Sequence, residues 1–281
     1  MYQLIAFDMD GTLLTSQQTI STVSLKAIDQ AIQAKKQVVL ATGRPLSEIK
    51  PYRQDLASLQ YAILESGAVI YDLQEERMIH QVSLPPIFLQ QLLQSTEGLD
   101  VMVVVMSESQ GYIQESHFLS IENYYMDQYQ KLYQATAAFV ANIHSLLADK
   151  KEKIEKVNLY FKTVKARDHY LEAMDYLQVA AIKAEKTGIE ITARGANKGQ
   201  ALTFLVNYLQ LEIEQTIAVG DGDNDRQMIA EAGLGIAMGN ANRTIKALAK
   251  AEVASNDKDG CAQAIYQFLL KAKFQVEVSQ F

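Results

Sequence analysis

The sequence predicts an α/β fold: a parallel sheet covered on both faces by helices, interrupted by a separate α+β unit. Three observations predict it. Over residues 1–83, short apolar runs alternate with helix-patterned segments through short connections. The same alternation returns over residues 187–281. Residues 84–186 between them break that pattern, with Pro85-Pro86 at one seam and Lys186-Thr187-Gly188 at the other.

Leu4 to Phe7 is a short apolar run ending in a polar turn, the pattern of a buried strand. Ser21 to Lys35 carries Val23, Ala27, Ala31 and Ala34 at helical spacing, with Ser21 as N-cap. Gln37 to Ala41 is a second buried strand, and Pro45 to about Ala57 a helix with proline in its first turn. Tyr61 to Leu64 is a third strand, and Ala68–Asp72 pairs with Met78–Val82 as a hairpin. In the middle, strands are expected at Val101–Met106, Gly111–Gln114, Lys156–Phe161 and Val179–Ala184. Helices are expected there at Ile87–Ser95, Gln134–Leu147 and Val164–Leu177. The last part reads as helix Asn197–Leu209, strand Thr216–Gly220, helix Asp225–Ala232, strand Gly235–Met238, and helices Asn242–Lys250 and Asp259–Leu270.

The composition excludes several classes. With 281 residues, 48% hydrophobic and 21% charged, 14 Gly and 4 Pro, the chain is neither disordered nor low-complexity. A net charge of −7 gives no global basic footprint, so no nucleic-acid partner is expected. Cys261 is the only cysteine, which rules out an intrachain disulfide and a cysteine zinc site. The first residues have no basic stretch, and Asp8 and Asp10 interrupt their apolar run, so no signal peptide is expected. The longest purely apolar run, Val101 to Met106, is far short of the roughly 20 residues of a membrane span. A cytoplasmic protein without a membrane partner is expected, a monomer or weak homo-oligomer.

The residues that carry chemistry fall where strands end. Asp8-Met9-Asp10-Gly11-Thr12 follows the first strand, where ligands sit in a parallel α/β sheet. Two carboxylates at i and i+2 can reach one site there; the alternative is a charged turn closing the strand. Gly220-Asp221-Gly222-Asp223-Asn224-Asp225 crowds oxygen side chains at another strand end, which is unfavourable without a cation or full solvation. All-oxygen ligands favour Mg²⁺, Mn²⁺ or Ca²⁺, and the distal Glu of an EF-hand is missing. Thr42-Gly43-Arg44-Pro45 offers a hydroxyl, backbone N–H groups and a guanidinium to an anion at a helix start. Lys198 opens another helix. Each of these last two also fits an ordinary turn or a solvated side chain. Together the four supply acids for a divalent cation and cationic groups for an anion, the inventory of metal-assisted phosphoryl transfer.

In the order and spacing of these four motifs the chain resembles the haloacid dehalogenase (HAD) superfamily of phosphohydrolases, Cof-type branch. Gly235–Asn240 and Asp257–Gly260 also resemble that branch. The resemblance implies a Rossmann-like three-layer core at 1–83 and 187–281, with an inserted α+β cap at 84–186 that selects substrate. It implies an Mg²⁺-dependent phosphoric monoester hydrolase acting on small phosphorylated metabolites, sugar phosphates first, with nucleotide or cofactor phosphates as the other candidates. Asp8 would be the nucleophile, forming an aspartyl-phosphate, and Asp10 the general acid and then base. Mg²⁺ would be held by Asp8, the Asp10 carbonyl and Asp221. The Met9 N–H, Thr42, Gly43 and Lys198 would bind the phosphoryl group, with Arg44 reaching substrate. Asn224 would contact phosphate or position a metal-bound water, and Asp225 would orient Lys198 or a metal ligand. A sugar-phosphate mutase or a non-catalytic phosphometabolite sensor are the alternatives. The branch often has Asn-Gly-Ala after the third core strand; here it is Ser66-Gly67-Ala68. Tyr112, Glu115, His117, Tyr124 and Tyr125 are the cap side chains offered for substrate, though each also fits plain packing or exposure. The run from Asp149 to Lys153 reads as a solvated turn, and Tyr124, Tyr125 and Tyr129 as packing or a partner-facing surface.

Overall fold

The structure, a computed structural model, describes residues 1–150, 153–174 and 179–272. Two sheets organise it. The first has eight strands in the order β14-β13-β12-β1-β2-β3-β4-β5. These are β1 Leu4–Phe7, β2 Gln37–Ala41, β3 Tyr61–Leu64, β4 Val69–Asp72, β5 Arg77–Gln81, β12 Thr216–Gly220, β13 Leu234–Ala237 and β14 Ala251–Glu252. From β14 to β3 every pairing is parallel, and the β4–β5 hairpin continues the sheet antiparallel. Leu4, Ile5 and Ala6 are wholly buried, as a strand covered on both faces must be. Helix Thr22–Gln33 begins at the expected cap: the Ser21 side chain accepts the Ser24 N–H.

Register sets up the site. Phe7 lies opposite both Val219 and Leu40, so the chains leaving β1, β12 and β2 emerge side by side at one edge. The second sheet has six strands in the order β10-β11-β9-β6-β7-β8. They are β6 Val101–Ser107, β7 Gln110–Gln114, β8 Ala138–Val140, β9 Ile154–Phe161, β10 Val179–Ala184 and β11 Gly188–Ala193. One face packs Val103, Val105, Val157 and Leu159 with helix residues Phe88 and Leu92. The other packs Met102, Val104 and Tyr160 with Tyr124 and Tyr133.

Three expectations change. The helix from Pro45 is only Leu46–Ile49 plus a 3-10 turn, Lys50–Tyr52, because Pro51 lacks the N–H to continue it. The helix Gln134–Leu147 is broken: helix Gln130–Thr136, strand β8, then helix Ile143–Asp149, restarted where the Asn142 side chain accepts the Ser145 N–H. Helix Val164–Ala173 is as expected up to its end, and residues 175–177 of the expected helix lie outside the described residues. So do Lys151 and Glu152 of the charged run. The seam at 186/187 is too early. Gly188–Ala193 pairs antiparallel with β9 and β10, because its alternation of Ile189 and Ile191 with Glu190 and Thr192 completes the second sheet. The chain returns to the first sheet only after Ala193.

Candidate active site

Asp8 stands directly after β1, and its N–H donates to the Val219 carbonyl (3.0 Å), which fixes it beside the end of β12. Its side chain is buried. Lys198, wholly buried at the first turn of helix Lys198–Tyr208, donates to Asp8 Oδ1 (2.5 Å) and Asp225 Oδ1 (2.7 Å). Asp225 Oδ2 accepts the N–H groups of Asp221 (2.9 Å) and Gly222 (3.0 Å). Both Asp225 oxygens are thereby engaged in orienting Lys198 and holding the turn. Thr12 Oγ1 donates to Asp221 Oδ1 (2.9 Å). Gly11 makes this approach possible: its φ is +76°, and a Cβ there would lie 2.5 Å from Asp221 Oδ2.

Oxygen ligands of Asp8, Asp221 and Asp225 lie within 4.8 Å of one another. Burial raises the Asp8 carboxyl well above the usual carboxylate range, Asp225 adds to this, and Lys198 opposes it. Burial and then Asp225 push Asp221 up to about 6. Burial works against the Lys198 ammonium, yet Asp225 and Asp8 outweigh it and raise its pKa. One ammonium among three acids leaves negative charge uncompensated, and a hard divalent cation fits that donor set. Because Asp225 is already engaged, Asp8 and Asp221 are the carboxylates left to hold it.

Asp10 faces the same cavity, but its carboxylate is held by Arg44: Nε to Oδ2 (2.8 Å) and Nη2 to Oδ1 (2.5 Å). Any metal contact from Asp10 therefore falls to its main-chain carbonyl. Arg44 was expected at the substrate; most of its guanidinium is instead committed to Asp10 and Gln18. Its Nη1 is buried without a partner among the described residues and is the donor left for an anion. Thr42 and Met9 are buried and do not line the cavity, and Thr42 Oγ1 accepts the Arg44 N–H (3.2 Å). Gly43 and Asn224 line the cavity itself.

This cavity, about 300 Å³, lies between the two sheets. None of Tyr112, Glu115, His117, Tyr124 and Tyr125 lines it. Tyr124 donates to Asp100 (2.8 Å) and meets the His117 ring edge-on, Lys186 covers Tyr125, Lys150 lies over Tyr112, and Glu115 is exposed. The cap wall is made instead by Lys156, Asn158 and Tyr160 of β9, with Met106, Tyr129, Tyr133, Glu185 and Glu190. Sequence reasoning missed most of these, although a signal was present. Lys156, Asn158 and Tyr160 alternate with Val157, Leu159 and Phe161, so they share one strand face.

The fold, the three strand-end loops and the acidic cluster define a class. The family model for haloacid dehalogenase-like hydrolases matches residues 5–265, and the chain belongs to that family, in its Cof-type branch. It is a phosphoric monoester hydrolase of the HAD superfamily. Among its relatives, an HMP-PP phosphatase of Serratia proteamaculans is 30% identical over 257 residues, 88% of each chain. The pyridoxal phosphate phosphatase YbhA of Escherichia coli is 28% identical over 277 residues, 95% of this chain and 99% of its own. A solved haloacid dehalogenase-like hydrolase from B. subtilis matches with a TM-score of 0.82 at 28% identity, covering 95% of this chain and 99% of its own. Among the described residues, no helix is long and apolar enough to cross a membrane.

Proposed function

We propose that the chain is an Mg²⁺-dependent phosphatase of small phosphorylated metabolites, sugar phosphates foremost, acting through an aspartyl-phosphate on Asp8. The observation that carries this reading is the pairing of two acids from one strand end in one cavity. Asp8 lies against Lys198, and Asp10 is aimed by the Arg44 fork. In the first step, with Asp10 protonated when substrate binds, an Asp8 oxygen bonds to phosphorus, the bond to the leaving oxygen breaks, and Asp10 gives that oxygen its proton. In the second, Asp10 takes a proton from water as the water oxygen bonds to phosphorus and the Asp8 carboxylate departs. Lys198, the Gly43 N–H and Arg44 Nη1 offset charge on the transferring oxygens. Asp8, Asp221 and the Asp10 carbonyl would hold a divalent cation, which would supply the neutralisation that lets an anionic phosphate meet an anionic nucleophile.

The cap wall supports the substrate class. Lys183 also lines this wall, and both of its lysines are ion-paired, Lys156 in the interior with Glu190 (2.5 Å) and Lys183 at the surface with Asp168 (2.8 Å). Asn158, 6% exposed, donates to Tyr160 and leaves its buried Oδ1 without a partner among the described residues. Tyr129 donates to Glu185 (2.6 Å). Such a wall suits a neutral leaving group rich in hydroxyls rather than one carrying a second phosphate or a carboxylate. The relatives named for HMP-PP and for pyridoxal phosphate differ in substrate at similar identity to this chain, so the cavity is the better guide.

Phosphate release from a panel of phosphorylated metabolites, with Mg²⁺ and with chelator, tests the reading. Metal-dependent release is expected, with neutral sugar monophosphates turned over about tenfold or more faster than bisphosphates and phosphocarboxylates. Preference for a doubly anionic substrate would overturn the substrate class, and no release from any member would overturn the phosphatase itself.

A further inference from the structure

Lys156 belongs to the second sheet, yet it is 1% exposed and its ammonium reaches into the first domain. It donates to the Gly43 carbonyl (3.0 Å), to Ser66 Oγ (2.9 Å) and to Glu190 Oε2 (2.5 Å). A lysine has three donors, and all are taken, so none remains for substrate. The acceptors say what the residue does instead. The turn Thr42–Arg44 has its outer carbonyls held from within its own domain: Thr42 O by the Ser66 N–H (2.9 Å) and Arg44 O by the Glu65 N–H (3.1 Å). The middle carbonyl, Gly43 O, is held by Lys156 of the other domain.

Ser66 is chosen for this contact. Its φ is +61°, a left-handed conformation that favours Gly and Asn and that serine adopts only under constraint. What serine brings is a short hydroxyl within reach of Nζ. Glu190 balances the ammonium that burial would otherwise make costly.

We propose that Lys156 is a positioning residue: seating the second domain holds the Gly43–Arg44 peptide by its carbonyl, and so fixes the position of the adjoining Gly43 N–H that holds the transferring phosphoryl group. The inference rests on the reading of Thr42–Arg44 as the phosphate-holding turn. It makes phosphate affinity, and not only substrate choice, depend on the cap.

The test is equilibrium binding of inorganic phosphate, with Mg²⁺, to the whole chain and two variants. The double variant Lys156→Met with Glu190→Gln removes the pair together and leaves no orphaned carboxylate. It should bind phosphate about tenfold more weakly, the worth of one charge-assisted hydrogen bond, and Ser66→Ala about two- to threefold more weakly. The rate loss should be equal for a sugar phosphate and for a small aryl phosphate, because the phosphoryl group is common to both. A folded double variant that binds phosphate as the wild type does would overturn the proposal, since a merely structural tie lowers the unfolding midpoint and spares the folded protein's affinity. A loss confined to substrates with large leaving groups would also overturn it, by making Lys156 a substrate contact. If the double variant does not fold, Ser66→Ala decides: unchanged phosphate affinity overturns the tie, and weakened affinity supports it. Wild-type protein that binds no phosphate overturns the reading of the turn itself, and that outcome is visible without any variant.

Discussion

Lys198 separates two acids that look alike in the sequence. Asp8 and Asp225 both touch its ammonium, but Asp225 also accepts two backbone N–H groups and has no oxygen to spare. The motif Gly220–Asp225 was legible as a cluster of acids because charge density alone demands an explanation. Which acid holds the turn and which faces the cavity was not legible, because it depends on where the backbone amides of the turn point. Glu48 is a residue the sequence did not single out at all. It is buried beside Arg44 and Lys156 on the cavity wall, and burial pushes it from 4.5 up to about 7 despite those two charges. Folded protein therefore keeps a proton there that the unfolded chain has lost, so this group's contribution falls as pH rises from about 4.5 to about 7. Glu48→Gln removes the dependence. Its stability relative to wild type should increase between pH 5 and pH 8, by on the order of 2–3 kcal/mol, read from denaturant midpoints. An identical difference at both pH values would mean that Glu48 ionises freely in the folded state.

At the scale of elements, the site depends on how turns lock against one another. Gly67 follows β3 with φ +102°, and a Cβ there would lie 2.3 Å from the Asn197 carbonyl, directly before Lys198. Both the dihedral and the contact require glycine. Gly67→Ala should cost at least about 2 kcal/mol in urea unfolding, and should weaken activity by shifting the helix that carries Lys198. A variant as stable as the wild type would mean that the turn gives way easily. The strands of the first sheet were largely legible because wholly buried strands read as unbroken apolar runs. The elements that went wrong failed for local reasons: Pro51 inside an apolar pattern, an N-cap at Asn142 in a helical stretch, and a glycine-led strand at 188 that resembled a linker. The polar face of β9 was visible as alternation, but alternation does not say what the face meets. That needs the second sheet laid over the first.

At the scale of the whole molecule, one sheet carries the acids proposed to react and the other faces them across the cavity. The first domain supplies Asp8, Asp10, Lys198 and Asp221 from the ends of strands and the start of a helix. The second supplies a wall of Tyr129, Tyr133, Asn158 and Tyr160, together with the Lys156 bridge. Chemistry is in this account a property of the first domain, and selection a property of the cavity between them. The cap residues that the sequence offers for substrate rest on residue type alone, and none of them lines the cavity. The motifs of the first domain were legible because they are local; the cavity was not, because it exists only once both sheets are in place. Asp8 as nucleophile is the step on which the proposed chemistry depends. Phosphate release by Asp8→Asn, measured with Mg²⁺ beside the wild type, tests it most directly. The isosteric change should leave the fold and the unfolding transition cooperative while turnover drops by at least about 10³-fold. A folded Asp8→Asn protein that keeps more than about 1% of the wild-type rate would contradict the account and require another group, or water itself, to attack phosphorus.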